Sequence, residues 1–360
     1  MIKNFINRVV QGENLAAAEM TAAMNLILDG LAKPSQIAAF LVALRLKGET
    51  VEEIAAAAET VRQYDPRINI SDEVVVLDRD EINLDEETVF KACGLAGGAT
   101  RTFNISTATA LTAAGGGLKI AKFGSRAESS FCGSANVVAA LGINLDLTLT
   151  EVERSIEQVG LGFLYANLFH TPLALPTQVR QEIGVRTIFN LIGPLSNPAG
   201  GKYQVLGVYL PERTRLMAQV LTRLGCERAM VVHGQDALDE LTITGPTQIS
   251  RVEHGWVEDF EFWPRDAGLP LAQASDITGG GAEENAAIIR RILDGEPGPR
   301  RNVVLLNAAA AFFVAGRVPD LSTGVEMAAE AIDSGRARNK LDELIDFTSK
   351  CGVYQHKDVS

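Results

Sequence analysis

The chain has 360 residues, 46% of them hydrophobic, and 33 basic against 45 acidic side chains give it a formal net charge of −12. That length suits roughly two domains of about 150 residues with a substantial core. The acidic surplus excludes a general nucleic-acid or anionic-membrane binder, which needs a basic footprint. No uninterrupted apolar run reaches the ~18 residues of a spanning helix. The longest apolar passage, near Asn302–Gly316, is rich in alanine and broken by Asn307. Met1–Asn7 lacks the apolar core of a signal peptide. Cys93, Cys132, Cys226 and Cys351 form no CxxC pair, and His170, His233, His254 and His356 are too scattered for a metal site. Reduced thiols and a cytoplasmic location are expected. HExxH and GxSxG are absent, so zincin and serine-hydrolase chemistry has no support.

The first 64 residues read as helical. Met20, Ala23, Met24, Ile27, Leu28 and Leu31 form one apolar stripe at helical spacing. Gly30 and Pro34 punctuate, and Ile37, Phe40, Leu41 and Leu44 repeat the stripe. Thr50 with Glu53 is a capping box that opens a further helix, and Tyr64–Ile70, containing Asp65-Pro66, reads as an exit hinge. From Glu73 the pattern changes. Val74–Leu77, Gln204–Tyr209, Ala229–His233 and Gln248–Val252 read as strands, and Arg213–Leu224 as a helix between the second and third. Thr150 with Glu153 and Thr323 with Glu326 are expected to cap helices. Gly279-Gly280-Gly281 and Asp294–Pro299 read as loops, and Lys350–Ser360 as a polar tail. The expected architecture is a small helical domain, 1–70, followed by a larger α/β domain, 73–350, with a mainly parallel sheet.

Three glycine-bearing segments cluster within residues 94–134. Gly94-Leu95-Ala96-Gly97-Gly98-Ala99 follows the strand-like Val89–Cys93. Thr102-Phe103-Asn104-Ile105-Ser106-Thr107 leads into a small-residue segment ending at Gly115-Gly116-Gly117. Lys122-Phe123-Gly124-Ser125-Arg126 comes third, with Ser129, Ser130, Gly133 and Ser134 beyond it. Small residues after strands let backbone amides approach an anion, and Lys122 and Arg126 add fixed positive charge. Ser106, Thr107, Ser129 and Ser134 can donate to phosphate oxygens. Alternatively, the glycines mark turns and the hydroxyls cap helices. Asp239-Glu240 follows a strand and a short loop, either as a Mg²⁺-binding pair or as a solvated acidic pair. Arg180 and Arg186 bracket a helix-like segment ending at Gly193-Pro194; they and His170 are equally open to structural roles.

These residues resemble the anthranilate phosphoribosyltransferase family, part of a glycosyltransferase superfamily that includes the pyrimidine nucleoside phosphorylases. The resemblance runs over residues 5–350, through Thr102–Thr107 (TFNIST), Asn144–Leu147, Val159–Phe163, Val185–Ala199 and His233–Thr247. It implies a helical domain, joined by a segment near 170–190, hinged to the α/β domain, with the site in the cleft and a homodimer formed through the helical domains. It implies transfer of phosphoribose from 5-phosphoribosyl 1-diphosphate (PRPP) to an aromatic amine, with Mg²⁺, as in tryptophan biosynthesis. By resemblance, Gly94, Gly97, Gly98, Thr102, Asn104, Ser106, Thr107, Lys122 and Ser134 would contact the donor. Asn104, Phe123, Ser125, His170 and Arg180 would face the acceptor, with Arg180 on its carboxylate. Ser106, Asp239 and Glu240 would hold the metal.

The departures concentrate in the site. The family's GTGGDG is here Gly94–Ala99, and the residue three before it, usually Asp, is Lys91. KHGNR has become Lys122-Phe123-Gly124-Ser125-Arg126, GSAD has become Gly133-Ser134-Ala135-Asn136, and Glu128 adds a carboxylate. Two other outcomes therefore stand beside the family reaction: another acceptor or glycosyl reaction, and a binding or partner protein that has lost catalysis.

Overall fold

The computed structural model describes residues 2–64, 70, 73–79, 102–124, 134–165, 174–197 and 201–352. The N-terminal part is four helices, α1 (Ile2–Val10), α2 (Ala17–Leu28), α3 (Pro34–Lys47) and α4 (Val51–Tyr64). Pro34 starts α3, where its missing N–H has no helical partner to lose. Thr50 and Glu53 cap α4 reciprocally: the Glu53 N–H donates to Thr50 Oγ1 at 3.2 Å, and the Thr50 N–H to Glu53 Oε2 at 2.8 Å. Glu53 is wholly buried, and its carboxylate also accepts from the Leu15 N–H (2.9 Å) and the Lys47 ammonium (2.8 Å). A buried charge is tolerated when it is satisfied in this way.

The larger part is built on a seven-stranded sheet in the order β3-β2-β1-β4-β5-β6-β7. Its strands are β1 (Val74–Arg79), β2 (Lys119–Gly124), β3 (Leu161–Tyr165), β4 (Tyr203–Gly207), β5 (Arg228–Gly234), β6 (Thr247–Glu253) and β7 (Trp256–Phe262). The first five are parallel; β6 and β7 run antiparallel as a hairpin beyond β5. The hairpin turns through His254 and Gly255, both at positive φ (46° and 89°), as a tight two-residue turn requires.

Strand residues alternate between two cores, as period two demands. Val205, Met230 and Val232 face the core shared with α5 (Ile105–Gly115), α11 (Ala282–Leu293), α12 (Pro299–Val314), α13 (Leu321–Asp333) and α14 (Arg336–Ser349). Leu206, Ala229 and Val231 face the opposite core, shared with α10 (Arg213–Arg223) and with α1–α4. Residues of α8 (Ala174–Ile183) and α9 (Ile188–Ile192) join that second core, so helices from the middle of the chain pack with the N-terminal four. A third, smaller cluster sets α7 (Leu149–Gln158) against β2 and β3, and α6 (Ser134–Ala140) packs on α11.

Three local expectations are corrected. The cap of α7 is Thr148, reciprocally bonded with Glu151, and not Thr150 with Glu153. The cap of α13 is Asp320, whose carboxylate accepts from the Thr323 N–H at 2.8 Å; Thr323 lies inside the helix. The segment read as one helix between Arg180 and Arg186 is instead two, with Arg180 inside α8 and a break at Gly184, which has φ of +63°. β7 is a strand that the apolar pattern does not single out. The hinge over residues 65–69, the strand-like Val89–Cys93 and the tail beyond Gly352 lie outside the described residues.

Candidate functional site

In an open parallel sheet the ligand crevice lies beyond the carboxyl ends of the strands. Here that edge carries Asp78 of β1, Lys122 of β2, Gly207 of β4 and Gly234 of β5. A pocket opens there, lined by Asp78, Ser106, Thr109, Gly207, Asp239, Glu240 and Asn307 among others. The structure thus brings together Ser106, Asp239 and Glu240, which lie 133 and 134 positions apart in the chain.

They arrive by two routes. Ser106 is in the first turn of α5, and with Thr109, three positions on, it faces the pocket. The Ser106 and Thr109 hydroxyls are buried without a hydrogen-bond partner among the described residues. Buried hydroxyls are ordinarily satisfied, so an orphan pair aimed into a cleft points to a ligand. Asp239 and Glu240 are both 5% exposed, on the irregular segment between β5 and β6. That segment is held by Asp236, which accepts from the Thr242 hydroxyl (2.6 Å) and from the Thr244 hydroxyl. Beneath it lies Gly207: a Cβ there would fall 1.6 Å from the Asp239 carbonyl oxygen. Only a glycine lets the two backbones meet.

Asn104 is buried at the N-terminal end of α5, and its Oδ1 accepts from Asn285 Nδ2 at 3.0 Å. Asn285 in turn accepts from the Gly280 N–H at 2.8 Å, which ties the triple glycine to the site. Thr102 makes an antiparallel bridge with Thr278. Thr107 is wholly buried on the adjoining face of α5, and its hydroxyl is another without a partner among the described residues. Lys122 is 3% exposed, in register with Leu77 of β1 and Phe163 of β3. Ser134 begins α6, and Phe123 is in β2. Arg180 is half-buried on α8, its guanidinium 5.8 Å from the centre of the Phe189 ring. Gly94, Gly97, Gly98, Ser125 and His170, with Lys91, Arg126, Glu128, Ser129 and Ser130, lie outside the described residues.

Sequence reading misses Asp78, Gly207, Asn285 and Asn307. Asp78 accepts from Asn197 Nδ2 at 3.3 Å, a bond between the end of β1 and the segment that follows α9. Asn307 carried a visible signal, as the polar interruption of the longest apolar run. Gly207 and Asn285 carried none, because what they touch is remote in sequence.

The oxygen donors fit Mg²⁺. Two adjacent carboxylates and an unsatisfied hydroxyl are hard ligands, and Mg²⁺ is usually held by one or two carboxylates plus water and substrate phosphates. No cluster of three or more His, Cys, Asp or Glu side chains able to hold a metal occurs among the described residues, so a closed protein cage is absent from them.

Residues 3–64 match the helical bundle domain of the glycosyl transferase family, and residues 86–338 its α/β domain. The central strand β1 falls between the two matches. Anthranilate phosphoribosyltransferase from Geotalea uraniireducens (strain Rf4) is 48% identical over 97% of this chain and 100% of its own length. That from Geobacter sulfurreducens is 49% identical, over 97% and 100%. The crystal structure of the Thermus thermophilus enzyme superposes with a TM-score of 0.86 at 38% identity, covering 96% of this chain and 99% of that one. The Saccharomyces cerevisiae enzyme, solved in complex with PRPP and Mg, gives 0.83 at 25% identity over 97% and 98%. The chain belongs to the glycosyl transferase family that contains the anthranilate phosphoribosyltransferases.

Proposed function

We propose that the protein transfers the phosphoribosyl group of PRPP to anthranilate, releasing diphosphate. The observation that carries this reading is the convergence of Ser106, Asp239 and Glu240 on one pocket at the carboxyl edge of the sheet. Near-full-length identity to enzymes of that name supports it. In the reaction the C1–O bond to diphosphate breaks with its electron pair leaving on oxygen, and the aromatic nitrogen bonds to C1. The nitrogen then loses its proton to solvent or diphosphate. An aniline nitrogen needs no strong base, so the residues act by orientation and electrostatics.

Asp239, Glu240 and Ser106 are the residues that would hold Mg²⁺. When bound, it would neutralise charge growing on the departing diphosphate. Lys122 and Ser134, with Thr102, Asn104 and Thr107, are assigned to the donor. Asn104 has its oxygen engaged by Asn285, so its amide N–H₂ is the end left to bond substrate. Arg180 is assigned to the acceptor carboxylate, with Phe123 beside the acceptor. Gly94, Gly97 and Gly98 are assigned to the donor, and Ser125 and His170 to the acceptor, by motif alone.

The domain division is proposed as 1–70, joined by the segment near 170–190, against 73–350. The packing of α8 and α9 on α2, α3 and α4 supports joining the 170–190 segment to the helical part. A homodimer through the helical part is supported by four exposed apolar side chains there, Val10, Leu31, Leu46 and Val185. A cytoplasmic setting and a place in tryptophan synthesis accompany the activity. No described helix is long and apolar enough to cross a membrane. A second reading, another aromatic amine as acceptor, is favoured by Phe123 and Ser125 standing where the family has His and Asn. Loss of anthranilate fluorescence on adding PRPP and Mg²⁺ tests the first reading. PRPP consumption with a different aromatic amine, without turnover of anthranilate, would establish the second.

A further inference from the structure

Asn307 sits in the middle of α12, in a run, Val303–Val314, in which every residue is buried. A polar side chain there carries a desolvation cost that leucine would not, so its hydrogen bonds define its purpose. Its Oδ1 accepts from the Leu241 N–H at 3.0 Å, and its Nδ2 donates to the Leu241 carbonyl at 2.8 Å. Nδ2 also donates to the Val303 carbonyl at 2.8 Å, which fixes the amide's orientation within its own helix. One side chain therefore satisfies both backbone groups of a single residue, as a neighbouring strand would.

Leu241 directly follows Glu240, in a stretch that belongs to no helix or strand. Its neighbours Thr242 and Thr244 are tied to Asp236 within the same loop, and the Thr242 N–H donates to Thr247 Oγ1, at the start of β6, at 3.1 Å. Asn307 ties the loop to the helix packed against it, and the Ala272 N–H ties it from another segment, donating to the Ile243 carbonyl at 3.0 Å. Asn307 also lines the pocket. The close approach of Gly207 to Asp239 and the paired bonds from Asn307 to Leu241 hold the backbone on either side of Glu240 in the chain. Glu240 and Ser106 line the same pocket, so the set of that backbone bears on how the carboxylate meets the hydroxyl there.

We infer that Asn307 is a positioning residue for the Asp239–Glu240 pair, holding both carboxylates in register with Ser106 for a divalent cation bound with the donor's phosphates. The inference rests on the functional reading above and goes beyond it. The test uses the full chain and two variants, Asn307→Leu, which keeps the branched shape without the hydrogen bonds, and Asn307→Ser, which adds no bulk should leucine prevent folding. Mn²⁺ serves as the probe, titrated with PRPP and read by electron paramagnetic resonance. Backbone hydrogen exchange is followed in peptides spanning 238–246. A folded variant should show exchange there at least ~10-fold faster and Mn²⁺ affinity in the presence of PRPP at least ~10-fold weaker. KM for PRPP should rise while KM for the amine stays within about twofold. A folded variant that binds Mn²⁺ as tightly as wild type overturns the positioning role alone. Wild-type protein that binds no Mn²⁺ with PRPP overturns the functional reading, and this role with it.

Discussion

Replacing Gly207 by alanine should cost stability and, more steeply, activity, and the two costs can be measured apart. The added Cβ would lie 1.6 Å from the Asp239 carbonyl oxygen and 2.6 Å from its carbonyl carbon. An ordinary carbon–oxygen contact is about 3.3 Å, so the backbone of Asp239 must retreat by about 1.7 Å. No rotamer relieves the clash, because both partners are backbone. Overpacking of this kind costs about 1–3 kcal/mol, which a domain of this size survives. A displacement of about 1 Å at reacting groups costs about 10²-fold in rate. Gly207→Ala should therefore remain folded, with a lower Tm, and lose about two orders of magnitude in kcat/KM for PRPP. Gly162→Ala is the control: its Cβ meets side chains, Ile156 Cγ1 at 2.5 Å and Val152 Cγ1 at 3.1 Å, away from the pocket. It should lower Tm and leave kinetics unchanged. Wild-type kinetics in a folded Gly207→Ala would refute the claim that this backbone approach sets the carboxylates.

Ser106→Ala removes a hydroxyl that has no partner among the described residues, so Tm should hold or rise while the Mg²⁺ concentration for half-maximal rate increases at least ~10-fold. A drop in Tm with unchanged Mg²⁺ dependence would make the hydroxyl structural. Arg180→Gln should raise KM for the amine by about 10–100-fold, the loss of a charge-assisted pair, and leave KM for PRPP alone; steady-state kinetics with each substrate varied will show which KM moves. Burial pushes the Cys226 thiol from its usual 9.0 up to about 12. The unfolded chain then ionises first, so this stabilisation is whole below pH 9 and fades as pH rises toward 12, by about 1.4 kcal/mol per unit. Denaturant unfolding of wild type against Cys226→Ala across that window should show the gap narrowing; a constant gap would contradict it.

The elements that local chemistry specifies were legible. Thr50 with Glu53 caps α4 as its spacing requires, and β5 and β6 fall where the β-branched runs lie. The two misplaced caps show where local reading stops. Thr148–Glu151 and Thr150–Glu153 both satisfy the capping pattern; the chain uses the first, whose Glu151 also accepts from the remote Gly352 N–H at 3.2 Å. At α13, Thr323–Glu326 satisfies the pattern too, yet Asp320 three residues earlier takes the role. The sheet order was not legible: β1 is central because β2 and β4 flank it, and those pairings join residues far apart in the chain. In the site, Ser106, Asp239 and Glu240 were legible as chemical types in a recognised pattern. Asp78, Gly207, Asn285 and Asn307 were not, because each acts on a partner brought to it only by the fold.

The most direct measurement is the stoichiometry of turnover: anthranilate consumed, by fluorescence, against diphosphate released, with and without Mg²⁺, for wild type and for Asp239→Asn combined with Glu240→Gln. One diphosphate should appear per anthranilate consumed, with dependence on Mg²⁺, and both signals should be lost in the double variant, which should remain folded. Diphosphate release without anthranilate loss, or a double variant as active as wild type, would contradict the proposed reaction.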